Sequence, residues 1–287
     1  MTGSSETFAH LVVTGARGQV GRELLRLAPG ARAYGRDDLD ITDADAVATV
    51  VTPGTVVLNC AAYTAVDRAE TDPEAAFAAN ATGPAVLAAA CARADARLIH
   101  LSTDYVFGGT HNRPYDTADT TGPATVYGRS KLAGEQAILA SGAPAHIVRT
   151  AWVYVGGAGD FVGTMRRLEG ERETVDVVDD QLGSPTYAAD LAAGLLELAS
   201  RPDAPRLLHA TNAGQATWFD LARAVFDEVG ADPARVRPCD SSAFPRPAPR
   251  PAYSVLSDRS WIAAGLTPLR PWRAALHAAV QRNTHGT

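Results

Sequence analysis

Lysine is nearly absent from this chain. Of the 26 basic residues among its 287 positions, Lys131 is the single lysine and all the others are arginines. The one ammonium group that the chain retains lies four residues after Tyr127. Because positions i and i+4 are neighbours on a helix, both side chains are expected on the same helix face.

Cysteine, positive charge and long apolar runs are also scarce. Cys60, Cys91 and Cys239 are far apart and show neither metal-site nor disulfide spacing, which indicates a reducing, cytoplasmic compartment. A net charge of −6 argues against binding to nucleic acid or anionic membranes. No apolar run is predicted to reach membrane-spanning length, and residues 1–10 lack the order of a signal peptide. We therefore expect neither nucleic acid nor membrane as a partner.

The pair formed by Tyr127 and Lys131 offers proton transfer. A phenol has a pKa of about 10, and a nearby cation favours its ionised form. The tyrosine would then become a usable acid or base nearer neutrality. The alternative is a surface helix with an incidental tyrosine.

The chain opens with a strand, a glycine turn and a helix, in the order that a phosphate cradle requires. An apolar run over 11–13 precedes Gly15, Gly18 and Gly21, and apolar residues at helical spacing follow. The first two glycines would permit the turn and the close approach of a pyrophosphate, and the third would let the helix pack on the strand. The G-x-x-G-x-x-G spacing differs from the usual dinucleotide fingerprint, so a simple tight turn is the alternative.

The end of the second strand, predicted over 31–35, favours NADPH over NADH. Arg36 stands where an arginine can meet the 2′-phosphate of NADP. Asp37 and Asp38 weaken this preference, because they could accept ribose hydroxyls or repel a phosphate. The helix that follows is predicted to be capped by Thr42 or Asp43.

Later strands end in polar residues. Strands are predicted over 55–59, 97–101 and 145–149, and an alanine-rich helix over 80–94. Ser102 and Thr103 follow the strand that ends at 101, and such hydroxyls point into the crevice where α/β sheets bind ligands. His100 and His146, single histidines within strands, are expected to be satisfied core residues rather than ligands.

Taken in order, these motifs resemble an extended short-chain dehydrogenase/reductase. Within that superfamily the chain is similar to the dTDP-4-dehydrorhamnose reductases along nearly its whole length. The matching stretches are 14–21, 39–43, 61–67, 102–107, 126–128, 131–135, 149–154, 180–186 and 217–218. The related sugar-nucleotide 4,6-dehydratases carry an Asp-Glu pair after the threonine, whereas here Asp104 is followed by Tyr105.

The resemblance implies an α/β fold, a Rossmann-type doubly wound parallel sheet with a smaller, discontinuous carboxyl-terminal lobe. Residues 1–155, with returning segments near 186–214, would bind the dinucleotide. Residues 156–185 and 215–287 would form the substrate lobe.

The resemblance also implies roles for individual residues. Tyr127 would be the general acid. Lys131 would adjust the pKa of Tyr127 and bind the nicotinamide ribose, and Thr103 would donate a hydrogen bond to the ketone. Together with Arg36, the residues expected to bind NADPH, or possibly NADH, are Gly15, Arg17, Gly18, Gln19, Val20, Asp40, Ile41, Ala61, Ala62, Tyr63, Thr64, Tyr127 and Lys131. The residues expected to meet the substrate are Val66, Asp67, Thr103, Asp104 and Trp152, with Arg246 and Arg250 on the diphosphate. For these two arginines, a surface position in a proline-stiffened loop is an equal alternative.

One departure concerns metal. Some family members bridge two subunits through magnesium held by glutamates; Glu23 matches one ligand, but Ala189 and residues 278–281 supply no counterparts to the others. We therefore predict no metal and no magnesium-bridged dimer, and leave the oligomeric state open.

The implied function is NAD(P)H-dependent reduction of the 4-keto group of a dTDP-linked 6-deoxy-hexulose. The favoured reaction converts dTDP-4-dehydro-L-rhamnose to dTDP-L-rhamnose. One alternative is a 4-ketoreductase that gives another dTDP-deoxysugar in secondary metabolism. Another is a non-catalytic, NADP-binding regulatory subunit, although the presence of Thr103, Tyr127 and Lys131 together favours the enzyme.

Overall fold

A computed structural model of the chain describes residues 8–284. Residues 1–7, part of the stretch examined for a signal peptide, and residues 285–287 lie outside the described range. The strands are β1 (Leu11–Thr14), β2 (Arg32–Tyr34), β3 (Val56–Asn59), β4 (Arg97–Thr103), β5 (Ala145–Thr150), β6 (Val153–Tyr154), β7 (Val175–Val178), β8 (Leu182–Gly183), β9 (Thr186–Tyr187), β10 (Leu207–His209), β11 (Ala216–Thr217) and β12 (Val236–Cys239). The α-helices are α1 (Gln19–Leu27), α2 (Ala44–Val50), α3 (Val66–Ala69), α4 (Pro73–Phe77), α5 (Gly83–Ala94), α6 (Val126–Ala140), α7 (Phe161–Glu171), α8 (Ala188–Ala199), α9 (Trp218–Glu228), α10 (Arg259–Ala263) and α11 (Trp272–Thr284).

Six parallel strands form the central sheet, in the order β10-β5-β4-β3-β1-β2. The chain starts at β1, places β2 on one side of it and then crosses to β3 on the other side. This reversal creates a crevice at the carboxyl ends of β1 and β3, where open α/β sheets bind ligands. The predicted Rossmann-type doubly wound fold is confirmed.

Helices cover both faces of the sheet, and alternate strand residues supply the two cores. Leu11 and Val13 of β1 point to the face covered by α1 and α8, whereas Val12 points to the face covered by α2 and α5. Every residue of β1, β3 and β5 is buried. Burial on both faces explains why these strands read as continuous apolar runs and not as an alternation of apolar and polar residues.

A smaller lobe packs around α7, α9 and α11. Its core includes Met165, Phe226 and Leu276, and short strand pairs (β7 with β12, β8 with β11, β6 with β9) tie it together. Between these segments the chain returns to the central sheet through α8 and β10. The domain boundaries given above remain a prediction.

The helix predicted over 80–94 has a different beginning. Residues Ala78–Thr82 form a π-helical turn, and α5 starts at Gly83. At Gly134 of α6, a Cβ would lie 2.1 Å from the carbonyl oxygen of Asn80, so the glycine lets α6 approach this turn closely. Two other predictions needed refinement: β4 continues to Thr103, and Asp43, not Thr42, caps α2.

One helical stretch corrects the expectation that no apolar run reaches membrane-spanning length. Pro73–Ala94 spans 22 residues, and an 18-residue window within it has a mean hydropathy of 1.4, which meets that criterion by length and composition. In the fold, α5 packs against α2 and α6, and its side of the sheet is a hydrophobic core. A core helix of this kind passes the same test as a membrane span.

Candidate active site

A cleft of about 2320 Å³ lies at the carboxyl ends of the central strands and reaches the smaller lobe. A drug-sized ligand typically needs about 300–1,000 Å³, so this space exceeds what one such ligand requires. All of the site residues predicted from the sequence line this cleft except Asp67.

The glycine turn at the start of the chain has the geometry that a pyrophosphate needs. Gly15 has φ of 67°, and a Cβ there would lie 2.5 Å from the amide nitrogen of Ala61. At Gly21 a Cβ would lie 2.4 Å from the Gly15 carbonyl oxygen. Gly18 is the N-cap of α1 and provides no side-chain cap, and no acid stands in the first turn. The amide groups at this helix end are thus free to bind an anion, so the residues present fit a dinucleotide.

Arg36 lines the cleft, whereas Asp37 and Asp38 do not. Asp37 accepts a hydrogen bond from Arg17 Nη1 at 2.5 Å, and Asp38 Oδ2 accepts the Gly35 N–H at 2.8 Å. The two acids that weakened the preference for NADPH are therefore already paired, with Arg17 and with the backbone of Gly35. This arrangement leaves Arg36 available to a 2′-phosphate.

Helix α6 carries Tyr127 and Lys131 on the face that it presents to the sheet. Thr125 caps the helix by accepting the Gly128 N–H at 3.0 Å. Tyr127 is 9% exposed and Lys131 is 2% exposed. Lys131 Nζ donates to the Leu101 carbonyl oxygen at 2.6 Å. The helix thus holds the ammonium group against the backbone of β4, next to the strand end that carries Thr103.

Burial dominates the proton affinities of this pair. It raises the pKa of Tyr127 to about 12, although a hydrogen bond with Thr103 acts in the opposite direction. The expectation that Lys131 brings the pKa of Tyr127 towards neutrality is therefore wrong, because burial raises this pKa and Lys131 is not among the groups that shift it. Burial also lowers the pKa of Lys131 to about 8, against the effects of Glu135 and Cys60. Tyr127 consequently keeps its proton at neutral pH, as a general acid must.

Asp104 is a buried carboxyl group in the cleft. Burial raises its pKa to about 6, opposed by hydrogen bonds that include one from Thr103 Oγ1 to its Oδ1 at 2.9 Å. Its Oδ2 makes no hydrogen bond of good geometry, with Ser254 nearby. This oxygen is buried and has no exposed surface towards a ligand.

Trp152 adopts an unusual backbone conformation, with φ of 46°. Its indole ring stacks on Trp218 with centroids 3.6 Å apart, and occupies the space where a Cβ of Gly183 would be. Trp218 also lines the cleft and donates from Nε1 to Gln181 Oε1 at 3.2 Å. The sequence matched Trp218 to a family motif but gave it no role. Its stacking on Trp152 makes it part of the cleft wall.

Asp67 is bound by the loop of the smaller lobe. Arg250 donates to both of its oxygens, at 2.9 and 2.8 Å, and Arg246 Nη1 lies 3.8 Å away. Asp67 does not itself line the cleft, and its contact with the substrate stays a prediction. Both arginines line the cleft, and their role on a diphosphate stays a prediction.

Three polar residues near the site were not singled out as functional from the sequence. Asn80 bonds both the N–H and the carbonyl oxygen of Tyr63, at 2.8 and 3.0 Å, and so fixes a loop that lines the cleft. His100 was expected to be a satisfied core residue, and it is buried, but its Nε2 lies 3.2 Å from Lys131 Nζ. Asn59 is paired with His100 in the register of β3 and β4, and Asn59 Nδ2 lies 2.9 Å from the other ring nitrogen of His100, Nδ1. His146, by contrast, bonds the Pro205 carbonyl oxygen and matches its prediction.

Glu23 is neutralised within the chain. Its carboxylate accepts from Arg26 Nε at 2.9 Å and from Arg282 Nη1 at 2.8 Å. Residues 8–284 contain no group of three or more His, Cys, Asp or Glu side chains placed to hold a metal ion.

Comparison with known proteins gives one family. The family model described as RmlD substrate binding domain matches residues 9–285. A dTDP-4-dehydrorhamnose reductase from Mycobacterium tuberculosis is 56% identical, over 100% of this chain and 96% of the relative. A probable dTDP-4,6-dihydroxy-2-methyloxan-3-one 4-ketoreductase from Streptomyces antibioticus is 49% identical, over 93% of each chain.

A solved structure agrees with these relatives. The dTDP-4-dehydrorhamnose reductase from Bacillus anthracis in complex with NADP superposes with a TM-score of 0.89 at 34% identity. The superposition covers 95% of this chain and 98% of that one.

Proposed function

Because this chain belongs to the RmlD substrate binding domain family, we propose that it is an NADPH-dependent reductase of a dTDP-linked 6-deoxy-hexulose. The reaction reduces the 4-keto group, and the favoured substrate is dTDP-4-dehydro-L-rhamnose, which gives dTDP-L-rhamnose. The relatives named above carry reductase names, and a similar structure binds NADP.

One observation carries the proposal: Thr103, Tyr127 and Lys131 meet in a cleft that the uncapped end of α1 also lines. NADPH supplies a hydride to the carbonyl carbon. Tyr127, protonated at neutral pH, gives its phenolic proton to the carbonyl oxygen as negative charge develops there. Thr103 orients that oxygen through its hydroxyl, and Lys131 holds the ribose beside Tyr127.

The charge of the cleft suits two phosphorylated ligands. Among the described residues that line it are nine cationic side chains and five carboxylates, although the whole chain has a net charge of −6. A local excess of cations compensates the phosphates of NADPH and of a nucleotide sugar. The stacked indoles of Trp152 and Trp218 add an apolar wall that suits the methyl group of a 6-deoxy-hexulose.

A second candidate product is another dTDP-deoxysugar of secondary metabolism. The Streptomyces antibioticus relative, whose name specifies 4-ketoreduction, is nearly as similar to this chain as the Mycobacterium tuberculosis reductase. Both candidates require the same proton donor and differ in the sugar that is reduced.

We also propose a cytoplasmic location and no magnesium-bridged dimer. All three cysteines are free, as in a reducing compartment. The two arginines on Glu23 replace the charge that a metal ion would supply.

The test couples the purified protein to the sugar produced by an upstream 4,6-dehydratase and 3,5-epimerase, with NADPH oxidation as the readout. We expect Lys131→Arg to fold and bind cofactor weakly with severely reduced turnover, because a planar guanidinium does not fit the buried position of a compact ammonium. Arg129→Lys on the exposed face of the same helix is the control and should behave as the parent. Parent-like turnover by Lys131→Arg would overturn the assignment, and the regulatory alternative would gain support.

A further inference from the structure

Four buried side chains form a continuous row of hydrogen bonds beneath the site. Thr14 Oγ1 lies 2.7 Å from Asn59 Oδ1, Asn59 Nδ2 lies 2.9 Å from His100 Nδ1, and His100 Nε2 lies 3.2 Å from Lys131 Nζ. None of these residues is more than 2% exposed. The row crosses from β1 through β3 and β4 to α6, so it joins the strand that leads into the glycine turn to Lys131.

The backbone fixes the direction of these hydrogen bonds. The Ala61 N–H can only donate, and it reaches Asn59 Oδ1 at 3.1 Å. Since this oxygen also faces Thr14 Oγ1, the Asn59 amide presents its NH₂ group to His100. His100 Nδ1 must then be the acceptor. A neutral imidazole carries its proton on the other nitrogen, so Nε2–H points at Lys131 Nζ.

This direction has a consequence for Lys131. A neutral amine can accept from His100 Nε2–H and donate to the Leu101 carbonyl oxygen, which satisfies every member of the row. An ammonium group has no lone pair, so it would need His100 to accept instead. His100 Nδ1–H would then face the Asn59 NH₂ group, and one of the two buried contacts would be lost.

We propose that His100 is a positioning residue for the reaction: oriented by Asn59, it holds Lys131 and opposes protonation of the amine. Burial makes the ammonium form less favourable in the same sense. A lysine that exchanges its proton near neutral pH can return a proton to Tyr127 after each turnover. The kinetic part of this inference rests on the proposed function, whereas the proton affinity of Lys131 does not.

The other titratable groups around Lys131 act in the opposite direction or are neutralised. Cys60, which follows β3, and Glu135, one turn later on α6, both favour the ammonium form. Glu135 forms a buried ion pair with Arg149 of β5, through contacts of 2.9 and 2.6 Å. Tyr127 lies on the same face of α6 and is protonated at neutral pH. None of these groups replaces the donor that His100 provides.

The chain offers a direct measurement, because Lys131 is its single lysine. Protein labelled with ¹³C-lysine gives one Cε signal, and its titration by NMR in the absence of cofactor reports the pKa of Lys131. We compare the parent with His100→Gln, whose amide reaches the place of Nε2, and with His100→Asn, whose shorter amide reaches only the place of Nδ1. His146→Gln, on the neighbouring strand, is the control for a buried histidine remote from Lys131.

The proposal expects the pKa of Lys131 to rise by about one unit in His100→Asn, the size of effect that one hydrogen bond produces. It should rise as well in His100→Gln, because that amide does not reach Asn59 and can turn its oxygen to the ammonium group, and it should stay at the parent value in His146→Gln. The high-pH limb of the kcat profile should move to higher pH in both His100 variants and not in His146→Gln. An unchanged pKa in folded His100→Asn and His100→Gln proteins would overturn the proposal, as would an equal rise in His146→Gln.

A second measurement needs no variant to fold. The nitrogen chemical shifts of His100 in ¹⁵N-histidine-labelled parent distinguish the two tautomers. We expect the proton on Nε2 when Lys131 is neutral. A proton on Nδ1 under those conditions would contradict the direction of the row, whatever the activity of the protein.

Discussion

Arg36 is the residue on which the preference between the two nicotinamide cofactors depends. It lines the cleft, and its acidic neighbours Asp37 and Asp38 are bound to Arg17 and to the backbone of Gly35. A 2′-phosphate would therefore meet a cation whose two neighbouring acids are already paired, and Asp40 is the carboxylate near Arg36 that lines the cleft.

We expect Arg36→Ala to weaken NADPH binding by about 10- to 100-fold, the range for one charge-assisted hydrogen bond, and to leave NADH binding nearly unchanged. Fluorescence titration with both cofactors gives the ratio of the two dissociation constants. Arg93→Ala, an exposed arginine at the end of α5, is the control. If the ratio in Arg36→Ala equals that of the parent, Arg36 does not bind the phosphate.

Individual residues differ in how far the sequence reveals them. Tyr127 and Lys131 could be identified because their spacing alone places them on one helix face, and because Lys131 is the single lysine in a chain that otherwise uses arginine. Asn59 and His100 could not, because their pairing depends on the register between β3 and β4. The pKa of Tyr127 was misjudged for a related reason: burial, which dominates it, is a property of the packed fold.

At the level of elements, the glycine turn shows two separate requirements for glycine. Gly15 has a positive φ, and it also lies against the backbone of Ala61. Gly142 has a similar φ of 73°, but a Cβ there would meet nothing within 4 Å. The two positions therefore separate the cost of the backbone conformation from the cost of the close approach.

We predict that Gly142→Ala lowers the free energy of unfolding by about 1–2 kcal/mol, the cost of a left-handed conformation. Gly15→Ala should lower the free energy of unfolding by about 1–3 kcal/mol more, because the added methyl group must displace the backbone of Cys60 and Ala61, directly after β3. Denaturant unfolding measures both, and NADPH titration should show loss of binding for Gly15→Ala alone. Equal losses of stability would show that the close approach is not tight.

The types of the elements were largely readable from the sequence, and their edges were not. Apolar runs and glycine placement predict β1, β3, β4 and β5 in the right order. The π-helical turn over Ala78–Thr82 was missed because it lies within an alanine-rich helical stretch, and Gly83 and Pro84 directly after it do not by themselves indicate a change of helix type. Its role becomes visible only where Asn80 reaches Tyr63 and where α6 approaches at Gly134.

Across the whole molecule, the ion pair between Asp67 and Arg250 joins the two parts that enclose the cleft. Asp67 belongs to α3, next to the central sheet, and Arg250 lies in the proline-rich loop near the carboxyl terminus. Arg246 in the same loop is more exposed and only loosely paired. The two arginines are therefore expected to differ in how readily they meet a diphosphate.

We predict that Arg246→Ala raises the KM for the dTDP-sugar more than it lowers kcat, because a diphosphate contact exists equally in the ground and transition states. Arg250→Ala and Asp67→Asn form a matched pair in steady-state assays. If Arg250 serves only to hold Asp67, both changes should raise KM equally. If Arg250 turns to the diphosphate, Asp67→Asn should leave KM unchanged or lower it. A large fall in kcat for Arg246→Ala at constant KM would contradict its placement.

The overall architecture followed from the sequence because a strand, glycine turn and helix at the start permit few folds. The membrane-length estimate failed for Pro73–Ala94 because composition does not show that a helix packs on a sheet. The part of the cleft built by the smaller lobe was the least readable, since it joins residues from four separate stretches that meet only in the folded chain.

The central claim is that this chain transfers a hydride from NADPH to C4 of a dTDP-linked keto-sugar while Tyr127 supplies the proton. The most direct measurement uses NADPH with deuterium at both C4 positions of its nicotinamide, with the parent and Tyr127→Phe, and analyses the sugar by NMR and mass spectrometry. The parent should place one deuterium on C4 of the sugar. Tyr127→Phe should bind NADPH normally and form that product about 10² to 10⁴ times more slowly. Deuterium at another carbon, no transfer by the parent, or an equal rate in Tyr127→Phe would contradict the account.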